Sequence, residues 1–236
     1  IKVQTMELSK RLNMIASFVT DGCCAADIGT DHGYIPIYLV QQGISPRAFA
    51  MDINKGPLER AKQHIEEMGL QDRIVCLLSD GLNQLPEKDV DSVIIAGMGG
   101  DLIVKILDQD QDKLKEVREL IVSPQSHPER VRRWLHDHNF RILEEDMIQE
   151  EGKYYIAIRA VHGRESYEKE CFYCFGKQLI MDCSPVLLEY LDKEYRKYEK
   201  IRKTLQNGTK EHIRKRREEV EQRLDDIKEA LGYYEM

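Results

Sequence analysis

The stretch AADIGTDHGY, Ala25–Tyr34, decides the fold of this chain. An apolar run, CCAADI, ends in an Asp-x-Gly turn, and a helical pattern, YIPIYLVQQG, follows at once and stops at Gly43. A short strand with no polar alternation is buried on both faces, and such strands belong to parallel sheets whose connections are helices. The turn itself carries glycine at 29 and 33 with an aspartate between them at 31. A G-x-G-x-x-G dinucleotide fingerprint counted from Gly29 needs glycine at 31 and 34, where Asp31 and Tyr34 stand. A carboxylate beside a pyrophosphate is repulsive, and its side chain keeps the backbone away from the phosphate.

Outward from this turn the same alternation continues. RAFAMDIN reads as a strand, GPLERAKQHIEEMG as a helix, RIVCLLSDG as a strand, and DSVIIAGMGG as a strand running into a glycine turn. DLIVKILDQDQDKLKEV reads as one helix, ELIVSPQ as a strand, PERVRRWLHDHN as a helix, and FRILEEDMIQEEGKYYIAIRAVHG as two strands turning near Glu151-Gly152. Ahead of them, residues 5–19 carry Leu8, Leu12, Ile15 and Val19 at helical spacing. The expected fold is α/β, a mostly parallel sheet closed by an antiparallel hairpin. Such sheets bind ligands at the carboxyl ends of their strands. That rule selects Asp27–Gly33, Asp52–Asn54, Ser79–Gly81, Ala96–Asp101 and Ser123–Ser126.

The shorter pattern G-x-G-x-G fits the turn with Asp31 as its one departure, and it is a pattern of S-adenosylmethionine (AdoMet) turns. AdoMet carries a sulfonium, an α-ammonium and an α-carboxylate but no phosphate, so a carboxylate near its cations is favourable. Asp52 ends the second strand, 25 residues after Asp27, and suits two ribose hydroxyls. Asp80 ends the third and suits the exocyclic amine of adenine. Each acid taken singly also reads as a helix N-cap. The candidate cofactor set is Asp27, Gly29, Asp31, His32, Gly33, Asp52, Ile53, Asn54, Asp80, Gly81, Gly97, Met98 and Gly99. At the fourth strand end, glycines 97, 99 and 100 remove side chains, which lets a flat base approach the backbone or lets the strand pack tightly on the next helix.

From about Gly163 the pattern changes. YEKECFYCFGKQLIMD reads as a short helix, and two long helices follow around Asn207-Gly208-Thr209. Ser184-Pro185 suits a helix start, Gly208 a helix end and Thr209 the next N-cap. One seam holds Leu188, Leu191, Tyr195, Tyr198 and Leu205; the other holds Ile213, Val220, Leu224, Ile227 and Leu231. We expect two domains: 1–162, which binds AdoMet, and 163–236, a helical hairpin with coiled-coil-like packing.

The 236-residue chain has a formal charge of −7, which by itself argues against a nucleic-acid partner. The average hides a division. Residues 193–217 hold 11 basic and 3 acidic side chains, and residues 218–236 hold 2 and 7. This is either a solvated face with crossed ion pairs or, at the hairpin tip, a seat for a polyanion. No apolar run approaches membrane-spanning length and no secretory signal is legible. Three of the six cysteines sit in or beside apolar, strand-like runs and read as reduced core thiols of a cytoplasmic protein. Cys171-x-x-Cys174 is half a zinc motif, but neither Cys183 nor His162 completes it, so no metal is expected.

LSKRLNMIASFV, ADIGTDHGYIPIYLV, IIAGMGGDLI and the C-terminal helical hairpin together resemble the bacterial TrmK family from about Leu8 onward. Those are tRNA (adenine-22-N1)-methyltransferases, Rossmann-like class I enzymes with an appended coiled-coil domain. The resemblance implies AdoMet-dependent methylation of N1 of an adenine in the tRNA D-arm. One departure is Pro124-Gln125, where something like Gln-Pro-Asn is expected, so the Ser123–Ser126 loop receives no role. Adenine N1 lies on the pairing edge, so the target must be unpaired or flipped. A carboxylate at N6 would stabilise the cationic product, with Asp31 and then Asp101 as candidates, and His32 or Tyr34 would stack on the base. Candidate tRNA contacts are Lys10, Arg11, Lys203, Lys210, Arg214, Lys215, Arg216 and Arg217, with Arg130, Arg132 and Arg133 as additions. Trp134 reads as a core anchor of its helix. Two other classes stay open: a methyltransferase of a small molecule or protein whose hairpin serves dimerisation, and a non-catalytic RNA-binding adaptor that binds no AdoMet.

Overall fold

The computed structural model describes residues 6–205 and 210–235, so the Asn207-Gly208-Thr209 turn lies outside the described residues. The chain divides into two compact units, Ile1–Glu165 and Ser166–Met236.

The first unit is a seven-stranded sheet in the order β3-β2-β1-β4-β5-β7-β6. Strands β1 (Ala25–Ile28), β2 (Ala48–Asp52), β3 (Ile74–Leu78), β4 (Ser92–Met98) and β5 (Glu119–Pro124) are parallel, with Asp27 of β1 level with Ala50 on one side and Ile94 on the other. Strands β6 (Phe140–Glu150) and β7 (Lys153–His162) form the expected antiparallel hairpin. β7 lies inside it against β5, and β6 takes the edge. Chain order reverses between β1 and β4, which opens a crevice at their carboxyl ends.

Helix α1 (Lys10–Ser17) is shorter than the 5–19 pattern, because Ser9 caps it by accepting from the Leu12 amide at 3.3 Å. Its Met14, Ile15 and Ala16 pack with Ile35, Leu39, Ile94 and Ile121. Helix α2 (Tyr34–Gln41) is buried almost all round, and Pro36 sits in its first turn, where no hydrogen bond is lost. Helix α3 (Lys55–Glu67) follows β2. Helix α4 (Gly100–Gln109) ends sooner than its pattern suggests. Asp110 leaves the helical region at φ −128°, and Gln111–Leu114 forms a separate 3-10 turn.

Helix α5 (Pro128–Asp137) turns Val131, Arg132, Trp134 and Leu135 inward. Trp134 is the core anchor expected of it, with Nε1 donating to Asp108 Oδ1 at 3.2 Å. Arg132 corrects the sequence reading. Its position on the inward stripe buries it completely, 2.7 Å from Glu145 of β6, where no RNA phosphate reaches. Arg133 is exposed, and Arg130 pairs with Asp101 at 2.7 Å.

The second unit comprises α6 (Glu170–Phe175), α7 (Lys177–Met181), α8 (Pro185–Leu205) and α9 (Glu211–Gly232). Ser184 caps α8 by accepting from the Leu187 amide at 3.3 Å. The seams differ from a strict two-helix pattern. Leu187 and Leu191 are buried on α8, and Val220, Leu224, Asp226, Ile227 and Ala230 on α9, while Leu188 and Leu231 are half-buried. The stripe widens because α6 also packs on α9: Phe172 lies against Tyr233, and the Arg223 guanidinium lies 4.5 Å over the Phe175 ring. Cys171 belongs to this core, and burial pushes its thiol up to about 12. Among the described residues no group of three or more His, Cys, Asp and Glu side chains is placed to hold a metal ion.

Replacing Arg132 with leucine strands the Glu145 carboxylate in the core. We expect a loss of about 3–5 kcal/mol in denaturant unfolding, mostly recovered when Glu145→Leu is added.

Candidate functional site

The Gly29–Gly33 turn shapes the crevice. Gly29 and Gly33 have φ of +74° and +69°. The Gly29 and Thr30 amides both donate to the Met51 carbonyl, at 2.8 and 2.9 Å, so β2 holds the turn after β1 has ended. A Cβ on Gly29 would collide with the Met98 methyl group, which lies over it. His32 adopts φ +57°, a left-handed conformation that side chains disfavour. Its carbonyl lies 3.1 Å from His64 Nδ1 of α3, so that nitrogen carries the proton. The His32, Tyr34 and His64 rings form a cluster, with His32 5.3 Å from each of the other two centroids and Tyr34 5.8 Å from His64.

A cleft of about 340 Å³ opens at the ends of β1, β4 and β5. Of the candidates read from sequence, Asp27, Gly29, Asp31, Tyr34, Gly97 and Arg11 line it. Asp27 is buried, and desolvation pushes its carboxyl up to about 6, with the Asp52 and Asp31 charges adding to the rise. Asp31 stands at the rim, 3.4 Å from His32 Nε2 and 3.8 Å from the Arg60 guanidinium, with its side chain 74% exposed. The Arg11 guanidinium lies 5.1 Å over the Tyr155 ring.

The ends of β2 and β3 continue the same rim beyond the lining. Asp52 is buried, and its Oδ1 accepts from the Asn54 amide at 2.6 Å. Ser79 organises the next turn, donating to the Gly81 carbonyl at 2.9 Å and accepting from the Gln84 amide at 3.0 Å, and Asp80 is exposed beside it. Ile53 and Leu78 expose 57% and 47% of their surface here, an unusual display for large apolar side chains.

The three glycines at the end of β4 have separate uses. A Cβ on Gly100 would stand 2.5 Å from the carbonyls of Ser126 and His127, so glycine is required for two turns to meet. They are joined by Gly100 N to Ser126 O and Gln125 N to Met98 O, both 2.8 Å. Gly97, by contrast, has open space where its Cβ would be, with Gln125 Nε2 nearest at 4.0 Å. A Cβ on Gly99 would stand 3.0 Å from Ser126 Oγ.

Asp101 is not in the cleft lining; it is exposed in the first turn of α4 and paired to Arg130. His32, Gly33, Gly81 and Met98 likewise shape the rim without lining the cleft. Leu12, Ile35, Ala96 and Gln125 line it without having been assigned roles from sequence. Gln125 was within reach of the strand-end rule. His64 was not, because nothing local to α3 shows that it faces His32.

Of the candidate tRNA contacts, Lys10 is exposed, and its amide donates to Glu150. In the helical unit Lys203, Lys210, Arg214, Lys215 and Arg216 are exposed, with Arg216 paired to Glu219 at 2.8 Å. Arg217 is half-buried and donates to the Leu205 carbonyl at 2.8 Å, closing the end of α8.

Residues 25–229 match the family described as TrmK: tRNA (adenine(22)-N(1))-methyltransferase. The chain is 37% identical over 158 residues to the tRNA (adenine(22)-N(1))-methyltransferase of Bacillus subtilis, a match covering 67% of this chain and 66% of the relative. It is similar to the crystal structure of the B. subtilis tRNA methyltransferase TrmK, with a TM-score of 0.89 and 31% identity over 95% of this chain and 99% of that one. It is also similar to a Streptococcus pneumoniae protein solved with S-adenosyl-L-methionine, with a TM-score of 0.87 and 34% identity over 95% of this chain and 100% of that one.

Asp27 gives the site a measurable pH signature. Its pKa of about 6 lies above the ordinary 3.8, so the folded chain binds this proton more tightly than the unfolded chain. Stability from this group is therefore full below roughly pH 4 and falls as pH rises towards 6. Asp27→Asn removes the penalty, so we expect a gain on the order of 2 kcal/mol at neutral pH that vanishes in acid. Denaturant unfolding of both proteins across that range checks it.

Proposed function

The chain belongs to the TrmK family of tRNA (adenine(22)-N(1))-methyltransferases, and we propose that its residues divide the reaction among a cofactor rim, a base-receiving cleft and a basic helical arm. The activity is S-adenosyl-L-methionine-dependent methylation of N1 of adenine 22 in tRNA. The observation that carries the division of roles is the glycine turn at the strand reversal, which presents carboxylates where a phosphate-binding turn presents bare backbone.

The residues present fit AdoMet. Asp27 and Asp31 favour its cationic groups, and a cation near Asp27 offsets the penalty of holding that carboxylate ionised while buried. Asp52 Oδ2 has no partner among the described residues and suits a ribose hydroxyl. Ile53 and Leu78 supply apolar surface for adenine, and Asp80 an acceptor for its amine. Bound there, AdoMet supplies a sulfonium-activated methyl group. Because Asp27 must be ionised to hold it, cofactor affinity weakens as pH falls through about 6.

The chain needs no base to begin the reaction, since adenine N1 brings its own in-plane lone pair. The protein's task is placement, the conversion of a collision into a fixed geometry. Tyr34, stacked on His32, offers a ring face to the target base. Asp31 accepts from N6 and takes the proton that N6 releases once N1 is methylated. Arg11, the cation of the cleft lining, holds an anionic group at its mouth. Lys203, Lys210, Arg214 and Lys215 hold tRNA phosphates, and the place of action is the cytoplasm. Among the described residues no helix is long and apolar enough to cross a membrane.

The test is methyl transfer from labelled AdoMet to bacterial tRNA, read by reverse transcription. N1 methylation blocks the pairing edge, so a stop at position 22 that requires both enzyme and AdoMet is expected; AdoMet binding without any stop would refute the reading. Charge reversal of Lys210 and Lys215 to glutamate should raise the KM for tRNA about tenfold and flatten its salt dependence by roughly one unit of slope per lost contact. AdoMet affinity should not change.

A further inference from the structure

Gln125 occupies a position that the assignments above leave without a task. It stands just after β5, behind Pro124, with its amide bonded to the Met98 carbonyl at 2.8 Å. The next residue accepts from Gly100, also at 2.8 Å, so the backbone on both sides of Gln125 is fixed to the β4 turn. Its side chain lines the cleft, and among the described residues its carboxamide makes no hydrogen bond. Nε2 is the atom nearest to where a Cβ on Gly97 would stand, at 4.0 Å. An exposed, unpaired amide on a tethered backbone, facing the bare backbone of Gly97, forms one wall of a slot for a flat ring.

We infer that Gln125 identifies the target base by pairing with the N6–N7 edge of adenine, an inference that rests on the methyltransferase reading above. A carboxamide matches that edge atom for atom: Oε1 accepts from N6–H and Nε2 donates to N7. The other polar side chains of the lining are Asp27, Asp31, Tyr34 and Arg11, and none offers a donor and an acceptor side by side in one plane. Reading adenine from this edge leaves its pairing edge free, as it must be when N1 is the nucleophile. It also assigns the two N6 hydrogens separately, the N7-side hydrogen to Gln125 and the N1-side hydrogen to Asp31. Guanine presents acceptors at both O6 and N7, so one would face Oε1 unpaired; pyrimidines have no N7.

The test uses the full-length enzyme and tRNA carrying either adenosine or 7-deazaadenosine at position 22. The deaza base keeps N1 and N6 and removes only the N7 acceptor. Any change it makes to N1 basicity is common to wild type and variant and cancels in their ratio. For wild type, we expect the deaza substrate to lower kcat/KM about tenfold. Gln125→Ala should lower kcat/KM on adenosine by a similar factor and treat both substrates alike, with AdoMet affinity unchanged. Equal deaza penalties in wild type and variant would overturn the inference, as would full activity of the variant on ordinary tRNA. Wild-type enzyme silent on unmodified tRNA would overturn the methyltransferase reading first, a failure visible before any substitution is made.

Discussion

Between Ile28 and Tyr34 the chain must leave a fully buried strand and enter a nearly fully buried helix. Only five residues make that passage, and three of them, Gly29, His32 and Gly33, have positive φ. A turn so tight has no room for side chains on its inner surface, and the adjacent Met51 carbonyl satisfies two of its amides. The space left above the turn is the cleft. Its position at the β1–β4 reversal follows from topology, because only there do the following helices depart to opposite faces of the sheet.

The electrostatics of the rim follow from the same compactness. Asp27 and Asp52 are both buried near the turn, and burial cuts Asp27 off from the water that would stabilise its charge. Asp27 responds with a raised pKa, so holding it ionised costs stability. A site of this kind is poised for a cation and hostile to a phosphate, a preference set by desolvation as much as by sign. Cations are concentrated elsewhere, on the exposed faces of α8 and α9. An acidic chain can thus serve an anionic macromolecule, because net charge averages over surfaces with different duties.

Two buried polar groups hold the rest of the sheet in register. Glu119, at the start of β5, accepts from the Thr20 amide at 2.9 Å, from the Thr20 and Ser92 hydroxyls, and from Arg159 Nε of β7 at 2.9 Å. One carboxylate therefore ties the entry to β1, the start of β4 and the antiparallel strand together. The Arg132–Glu145 pair does the same for α5 and β6. Neither is an efficient source of stability compared with apolar packing, but each penalises a slipped register, since a shift would leave a charge buried alone.

The sequence by itself determined the alternation of elements, the switch to helices after Gly163, and the strand ends at which a ligand must sit. These are local properties, carried by hydrophobic period and by glycine. It also leaned towards a cationic ligand, because a carboxylate at Asp31 disfavours a phosphate at the turn. Only tertiary structure decided which residues at those ends face one another. Asp101 and Gly97 belong to one motif, yet one pairs with Arg130 outside the lining while the other opens into the cleft. Arg132 and Arg133 are adjacent, yet helical rotation buries the first and exposes the second. Gln125 and His64 gained their places from strands and helices distant in sequence, through Met98 and His32. Such pairings depend on sheet order and helix rotation, which no local pattern encodes, because they are fixed by what the whole core can bury.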